Sequence, residues 1–327
     1  MPAAVVGENF LSRSVEIHPK FIAVCFHVAA NVRPEVGYQM VKQQKPGQQK
    51  SEKKSEQQST WKPGDTVALV VLIAAIFVVG LIPSNQVLPG FNPPEHGLVA
   101  WLVIMVLLGA CCVVIGRGTT GLWKGLLIDA RNRMPLSRLQ LLLWTVLVLS
   151  AFLTVAMFNI RKDPMADPLN IEVPAQVWAL LGISTTSFVT AATIKSQKKN
   201  LEVTKEAKEK SSAALEKVGE NSNKLADPQG ALVAYEQPNN ASVSDLFKGD
   251  EVVSAAYFDL GKVQVFLFTL IVVFAYAAEV GAMLYSTRII SALPELSTGI
   301  VALLGISHAG YLTAKAVPSN PQDYTRA

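Results

Sequence analysis

The segment WALLGISTTSFVTAA, residues 178–192, shares the six letters ALLGIS with VALLGISHAGYLTAK, residues 301–315. Each lies in a run of about 20 mostly apolar residues, enough for a helix to cross the roughly 30 Å hydrocarbon core of a bilayer. Four more runs of this kind are readable outward from the pair. Together they predict six spans near residues 66–82, 97–115, 138–158, 173–194, 263–285 and 296–317. Half of the 327 residues are hydrophobic and mean hydropathy is positive, the balance of a membrane protein. The expected fold class is all-α: a six-span transmembrane helical bundle with a cytoplasmic helical insertion.

The likeness extends beyond six letters. Residues 177–196 match 300–319 at nine of twenty positions, at a constant offset of 123. Residues 137–154 match 261–278 at five of eighteen, with Gln140 opposite Gln264. The repeated unit is therefore a helical hairpin, spans three and four and then five and six, both inserted the same way up as parallel repeats. Residues four apart share a helix face, so Gly182, Thr186 and Thr190 form one stripe of small side chains and Gly305, Ala309 and Thr313 its counterpart. In lipid such stripes join helices by letting backbones approach closely. Ser137 and Gln140 have the spacing of a capping box, with Gly261 and Gln264 in the second copy. Capping at the membrane edge is expected for both, an inter-hairpin hydrogen bond being the sharper alternative.

Lys and Arg in the loops set orientation. Residues 83–97 contain neither, whereas Arg117, Lys124, Arg131 and Arg133 follow span two. Arg161 and Lys162 after span three are balanced by Asp163, Asp167 and Glu172; the next connection is rich in Lys, and Arg288 stands alone after span five. This alternation puts the N-terminus and the C-terminus in the cytoplasm.

Six divisions follow. Residues 1–58 form a poorly ordered extension, with a run at 21–30 too short to span and a polar lead that points to Met40 as the true start. Residues 59–134 hold spans one and two with a basic juxtamembrane loop, 135–196 the first hairpin, 197–258 the insertion, 259–319 the second hairpin and 320–327 a cytoplasmic tail. The insertion is expected to continue span four as a solvated helix to about residue 227, with Glu206 and Lys210 on one face. A short amphipathic helix on the membrane surface is expected before span five.

His308 replaces Thr185 in the second copy, near mid-bilayer, where an ionisable side chain is a candidate for gating or proton relay. Glu279 falls toward the external end of span five and reads as a solvated interfacial carboxylate. Lys195 and Lys315 end their spans and read as snorkelling to the headgroups. Adjacent Cys111 and Cys112 in an apolar run imply no disulfide framework. Nucleotide-binding, hydrolase and zinc motifs are missing, and His18, His27, His96 and His308 fall in separate regions. No catalytic residue, metal or cofactor is expected, and the chain is not read as an enzyme. The basic residues lack interleaved aromatics, which argues against nucleic acid. Anionic lipid headgroups suit the basic loop at 117–138 better.

The stretches GLLIDARNRMPLSRLQLLLWTVLVLSAFLT (125–154), VWALLGISTTS (177–187) and SDLFKGDEVVSAAYFDLGKVQVFLFTLIVVFAYA (244–277) resemble a bacterial family of multi-pass inner-membrane proteins to which no activity is assigned. That resemblance covers most of the chain after the first forty residues and implies bacterial inner-membrane placement. From the repeat and His308, the expected function is an oligomeric channel-like or transport-like unit, a homo-oligomer. The alternative is a non-conducting scaffold that recruits a cytosolic protein partner through residues 197–258.

Overall fold

The computed structural model describes residues 61–81, 95–162, 167–220, 225, 228–285 and 289–326. The expected extension at 1–58 and the Met40 start lie outside the described residues, as do Asp163 and Arg288. Seven α-helices carry the described chain: α1 Pro63–Leu81, α2 Glu95–Thr120, α3 Leu136–Lys162, α4 Ala175–Lys198, α5 Lys205–Lys217, α6 Leu260–Leu284 and α7 Thr298–Ala316. Two short strands, β1 Leu201–Val203 and β2 Tyr324–Arg326, complete it.

Helices α1, α2, α3, α4 and α6 are each long and apolar enough to cross a membrane, which makes the chain an integral, multi-pass helical membrane protein. Six such helices were expected and five meet the criterion. Helix α7 is 19 residues long, but His308, Tyr311, Lys315 and three glycines dilute its apolar character.

Helix α3 is central, packed against α1, α2, α4 and α6, and α7 closes the bundle against α4 and α6. In lipid an apolar side chain gains nothing by leaving water, so close packing and interhelical hydrogen bonds must hold such a bundle. Both are present. The Trp101 indole of α2 donates to Ser150 Oγ of α3 at 3.0 Å. A Cβ on Gly97 would lie 2.2 Å from the Leu284 carbonyl oxygen, so α2 and α6 meet backbone to backbone. Val70, Phe77, Ile271 and Phe274 face outward, as a helix apolar all round requires of its lipid side.

The two hairpins share a direction. Asn159, near the end of α3, donates to the Ile290 carbonyl at 2.7 Å and accepts from the Ile290 amide at 3.1 Å. The Glu172 amide donates to Ser291 O, and the Leu293 amide to Glu172 O. The loops after α3 and α6 therefore meet at one end of the bundle.

At the other end, the expected continuous helix out of α4 is broken. Residues Leu201–Val203 pair antiparallel with Tyr324–Arg326, and Thr204 caps a new helix by accepting from the Ala207 amide. Pairing with the C-terminal tail and a good cap outweigh the helix propensity of this stretch. Helix α5 stops before Gly219, whose φ is +73°. The chain then doubles back, with the Val233 amide donating to Asp250 O and the Val252 amide to Ala231 O. Leu215, Leu225, Val233 and Val252 form a small core beneath α5. Gly230, at φ +61°, is needed here because a Cβ would meet the Lys199 carbonyl at 2.2 Å.

The expected surface helix before span five is replaced by short 3-10 turns at Pro238–Asn240, Val243–Leu246 and Val252–Ser254. Asp245, Asp250 and Glu251 turn inward onto cations, which a membrane-surface helix would not permit.

Candidate functional site

The insertion meets the helix ends through a buried charge cluster. Arg131 and Arg133 come from the loop after α2, Lys195 and Lys198 from the end of α4, Lys262 from the start of α6 and Lys315 from the end of α7. Their carboxylate partners are Asp129 in the same loop and Asp245, Asp250 and Glu251 in the insertion. Six cations thus face four carboxylates.

Asp250 is the hub. Its carboxylate lies 3.2 Å from Arg131, 3.7 Å from Arg133 and 3.3 Å from Lys262, and also pairs with Lys315. Burial alone would raise this carboxyl, but Lys262, Lys315, Lys195 and Arg131 outweigh it and hold Asp250 well below the usual carboxylate range. Asp129 is lowered in the same way, with Arg131 and Lys195 overcoming its burial. Asp245 accepts from the Tyr235 hydroxyl at 2.7 Å, and burial together with that carboxylate pushes the phenol up. Glu251 accepts from Lys198 at 2.5 Å, from the Ser319 amide at 3.0 Å and from the Tyr324 hydroxyl at 2.6 Å. The insertion therefore ties together the ends of α4, α6, α7 and the C-terminal tail. A cavity of about 240 Å³ opens among Lys195, Lys198, Lys315, Asp250 and Tyr311.

A polar seam leads from the cluster into the bundle. Lys315 donates to the Tyr311 hydroxyl at 2.8 Å, and His308 lies one turn further along α7. His308 is 4% exposed, and its Nε2 sits 3.5 Å from the amide nitrogen of Gln140. That same nitrogen donates to Thr269 Oγ1 at 2.7 Å. With Gln140 as donor, His308 Nε2 is the acceptor and Nδ1 carries the proton. Nδ1 has no partner among the described residues, and neither do Ser187 Oγ, Ser307 Oγ and the Tyr276 hydroxyl. Unpaired buried polar atoms cost free energy, and these lie on α4, α6 and α7.

The residues singled out from sequence fare unequally. His308 is buried between helices. Glu279 is exposed on α6, five residues before its end. Neither glutamine caps a helix. Ser137 lies inside the first turn of α3, while Gln140 points inward to Thr269 and His308, the inter-hairpin bond offered as the alternative. Asp259 caps α6 by accepting from the Lys262 amide, which displaces Gly261 from that role, and Gln264 is exposed. The small-residue stripes do not form the main contact either. Gly182, Thr186, Ala309 and Thr313 are exposed and Thr190 is half-buried, whereas Leu180, Ser184, Ser187, Leu304, Ser307 and His308 face inward. Of the two glycines, Gly305 approaches a neighbouring helix, 3.7 Å from Ile183 as measured from an added Cβ, and Gly182 does not. The opposite face wins because Leu180, Leu304 and His308 on it fill the space between helices. Lys195 and Lys315, read as snorkelling, instead reach Asp129 and Asp250.

No family model, no curated protein and no solved structure matches this chain. Its class rests on the five apolar helices, which define an integral multi-pass membrane protein.

Proposed function

We propose that the chain is a six-span protein of the bacterial inner membrane, a homo-oligomer whose seam through His308 moves a proton or a small polar solute. Helix α7 has 19 residues. At 1.5 Å per residue that is about 28 Å, close to the hydrocarbon thickness. Its end at Lys315 shares Asp250 with Lys262 at the start of α6, which supports α7 as the return limb of a membrane hairpin. The collection of Arg and Lys at that end supports a cytoplasmic orientation for it. The parallel hairpins and the family resemblance of 125–154 and 244–277 agree with this reading.

One observation carries the transport reading: a buried His308 whose Nδ1 has no partner among the described residues, whose Nε2 faces Gln140 of α3, itself bonded to Thr269 of α6, and which stands one to two turns from a charged cavity. Purified protein in proteoliposomes should dissipate a pH gradient or release a small polar solute. His308→Ala should abolish that flux while the protein still folds, as a cooperative melt in detergent would show. Flux unchanged in His308→Ala, or no flux from wild type across a broad panel, would refute it. In the second outcome the scaffold reading takes precedence, and the exposed Lys205, Glu209 and Glu216 face of α5 becomes the recruiting surface.

A further inference from the structure

A second cleft, of about 210 Å³, shares Lys195 with the charged cavity. One wall is α4 with its C-cap Lys199, where Phe188, Ala192, Lys195 and Lys199 fall at i, i+4, i+7 and i+11 on one face. The other wall is the loop before α3 with the first turn of that helix, which contributes Asp129 and Arg131, already paired with each other, and Ser137 and Arg138.

The charges here are unbalanced. Arg138 donates only to the Leu126 and Ile128 carbonyls, at 3.2 and 2.6 Å. Neither Arg138 nor Lys199 has a carboxylate partner among the described residues. Lys195 lies 3.5 Å from Asp129, a carboxylate that Arg131 already holds at 3.1 Å. Ser137 is 7% exposed, lines the cleft, and its hydroxyl bonds to no described residue. Moving along α4 away from Lys199, the wall turns apolar at Ala192 and Phe188, toward the membrane-crossing part of the helix. Three under-compensated cations and an unpartnered hydroxyl above an apolar wall complement a molecule with an anionic head and hydrocarbon tail.

We propose that this cleft binds the phosphate of an anionic glycerophospholipid, with an acyl chain along Phe188 and Ala192. The phosphate accepts from Arg138, Lys195, Lys199 and Ser137. Lipid here would bridge α3 to α4 and, through Lys195, touch the Asp129 side of the charge cluster. The site depends on this end of the bundle lying at a membrane surface and is independent of whether His308 conducts.

Full-length protein in nanodiscs of mixed phosphatidylglycerol and phosphatidylcholine, followed by native mass spectrometry, reads the lipid retained. Wild type should keep phosphatidylglycerol in preference. Lys199→Gln, at an exposed position where folding is not at stake, should lower that preference about five-fold, and Lys195→Gln with Lys199→Gln roughly thirty-fold. Lys205→Gln with Lys208→Gln, on α5, should change nothing. Equal retention of both lipids, or an equal loss from the α5 pair, would overturn the proposal. So would displacement of the bound lipid by millimolar inorganic phosphate, which would assign the cleft to a soluble anion.

Discussion

The ammonium of Lys262 lies 3.3 Å from the carboxylate of Asp250, joining the first turn of α6 to the insertion that precedes it. Lys262 is 1% exposed and its Nζ also donates to the Lys248 carbonyl at 2.5 Å. Removing one partner of such a buried group strands the other, a larger loss than the pair's own net worth. Asp250 has four cationic partners, so its removal is the most costly single change to the cluster.

Asp250→Asn should therefore lower stability by about 3–5 kcal/mol. A thermal melt in detergent would read this as a large drop in midpoint. Adding Lys315→Met should recover part of the loss, because one stranded cation is then gone. A midpoint unchanged in Asp250→Asn would remove the cluster from any structural role.

The cluster also sets a pH window. Asp250 and Asp129 are held below their ordinary values, so folding favours their ionised forms. Their contribution is complete above the unfolded carboxylate value of about 3.9 and is lost as pH falls through the lower folded values. Tyr235 and Tyr324 are shifted the other way, by burial and by the carboxylates of Asp245 and Glu251 that accept from them. Their contribution is complete below the unfolded phenol value of about 10 and is lost as pH rises through the folded values. Melting midpoints should be flat between roughly pH 5 and 7 and fall toward strong acid and strong alkali. Tyr324→Phe should flatten the alkaline fall, and an unchanged alkaline limb in that variant would exclude Tyr324 as its source.

Two glycines should behave oppositely. Gly97→Ala forces a Cβ against the Leu284 carbonyl and should cost about 1–3 kcal/mol. Gly182→Ala meets nothing within 4 Å and should be neutral or stabilising by up to about 1 kcal/mol. Thermal melts of the two variants check this, and equal losses would contradict the observed packing of α2 on α6 and the outward face of α4.

The contrast marks what could be read from sequence. Apolar runs and loop charges gave the long helices, because both signals are local and set by the solvent. His308 stood out for the same reason, as a polar residue in an apolar run. The partners of Lys195 and Lys315 did not, since snorkelling and burial against Asp250 begin from the same letters. The signal was present in Gly249-Asp250-Glu251, two adjacent acids after a glycine in a connection otherwise rich in Lys. Helical spacing defined the Gly182 and Gly305 stripes but could not say which face turned inward; the bulk of Leu180 and Leu304 decided that. The break after Lys198 depends on pairing with residues 324–326, more than a hundred positions away, which no local propensity encodes.

Sided cysteine labelling at the two ends of α7 tests most directly whether the His308 seam lies inside the membrane. In a cysteine-free background, Glu295→Cys and Ser319→Cys, both exposed, would be probed in intact cells and in inverted vesicles with an impermeant maleimide. Glu295→Cys should label only from outside and Ser319→Cys only from the cytoplasmic face. Labelling of both from one side would mean that α7 does not cross, and the proposed seam would then lie outside the bilayer.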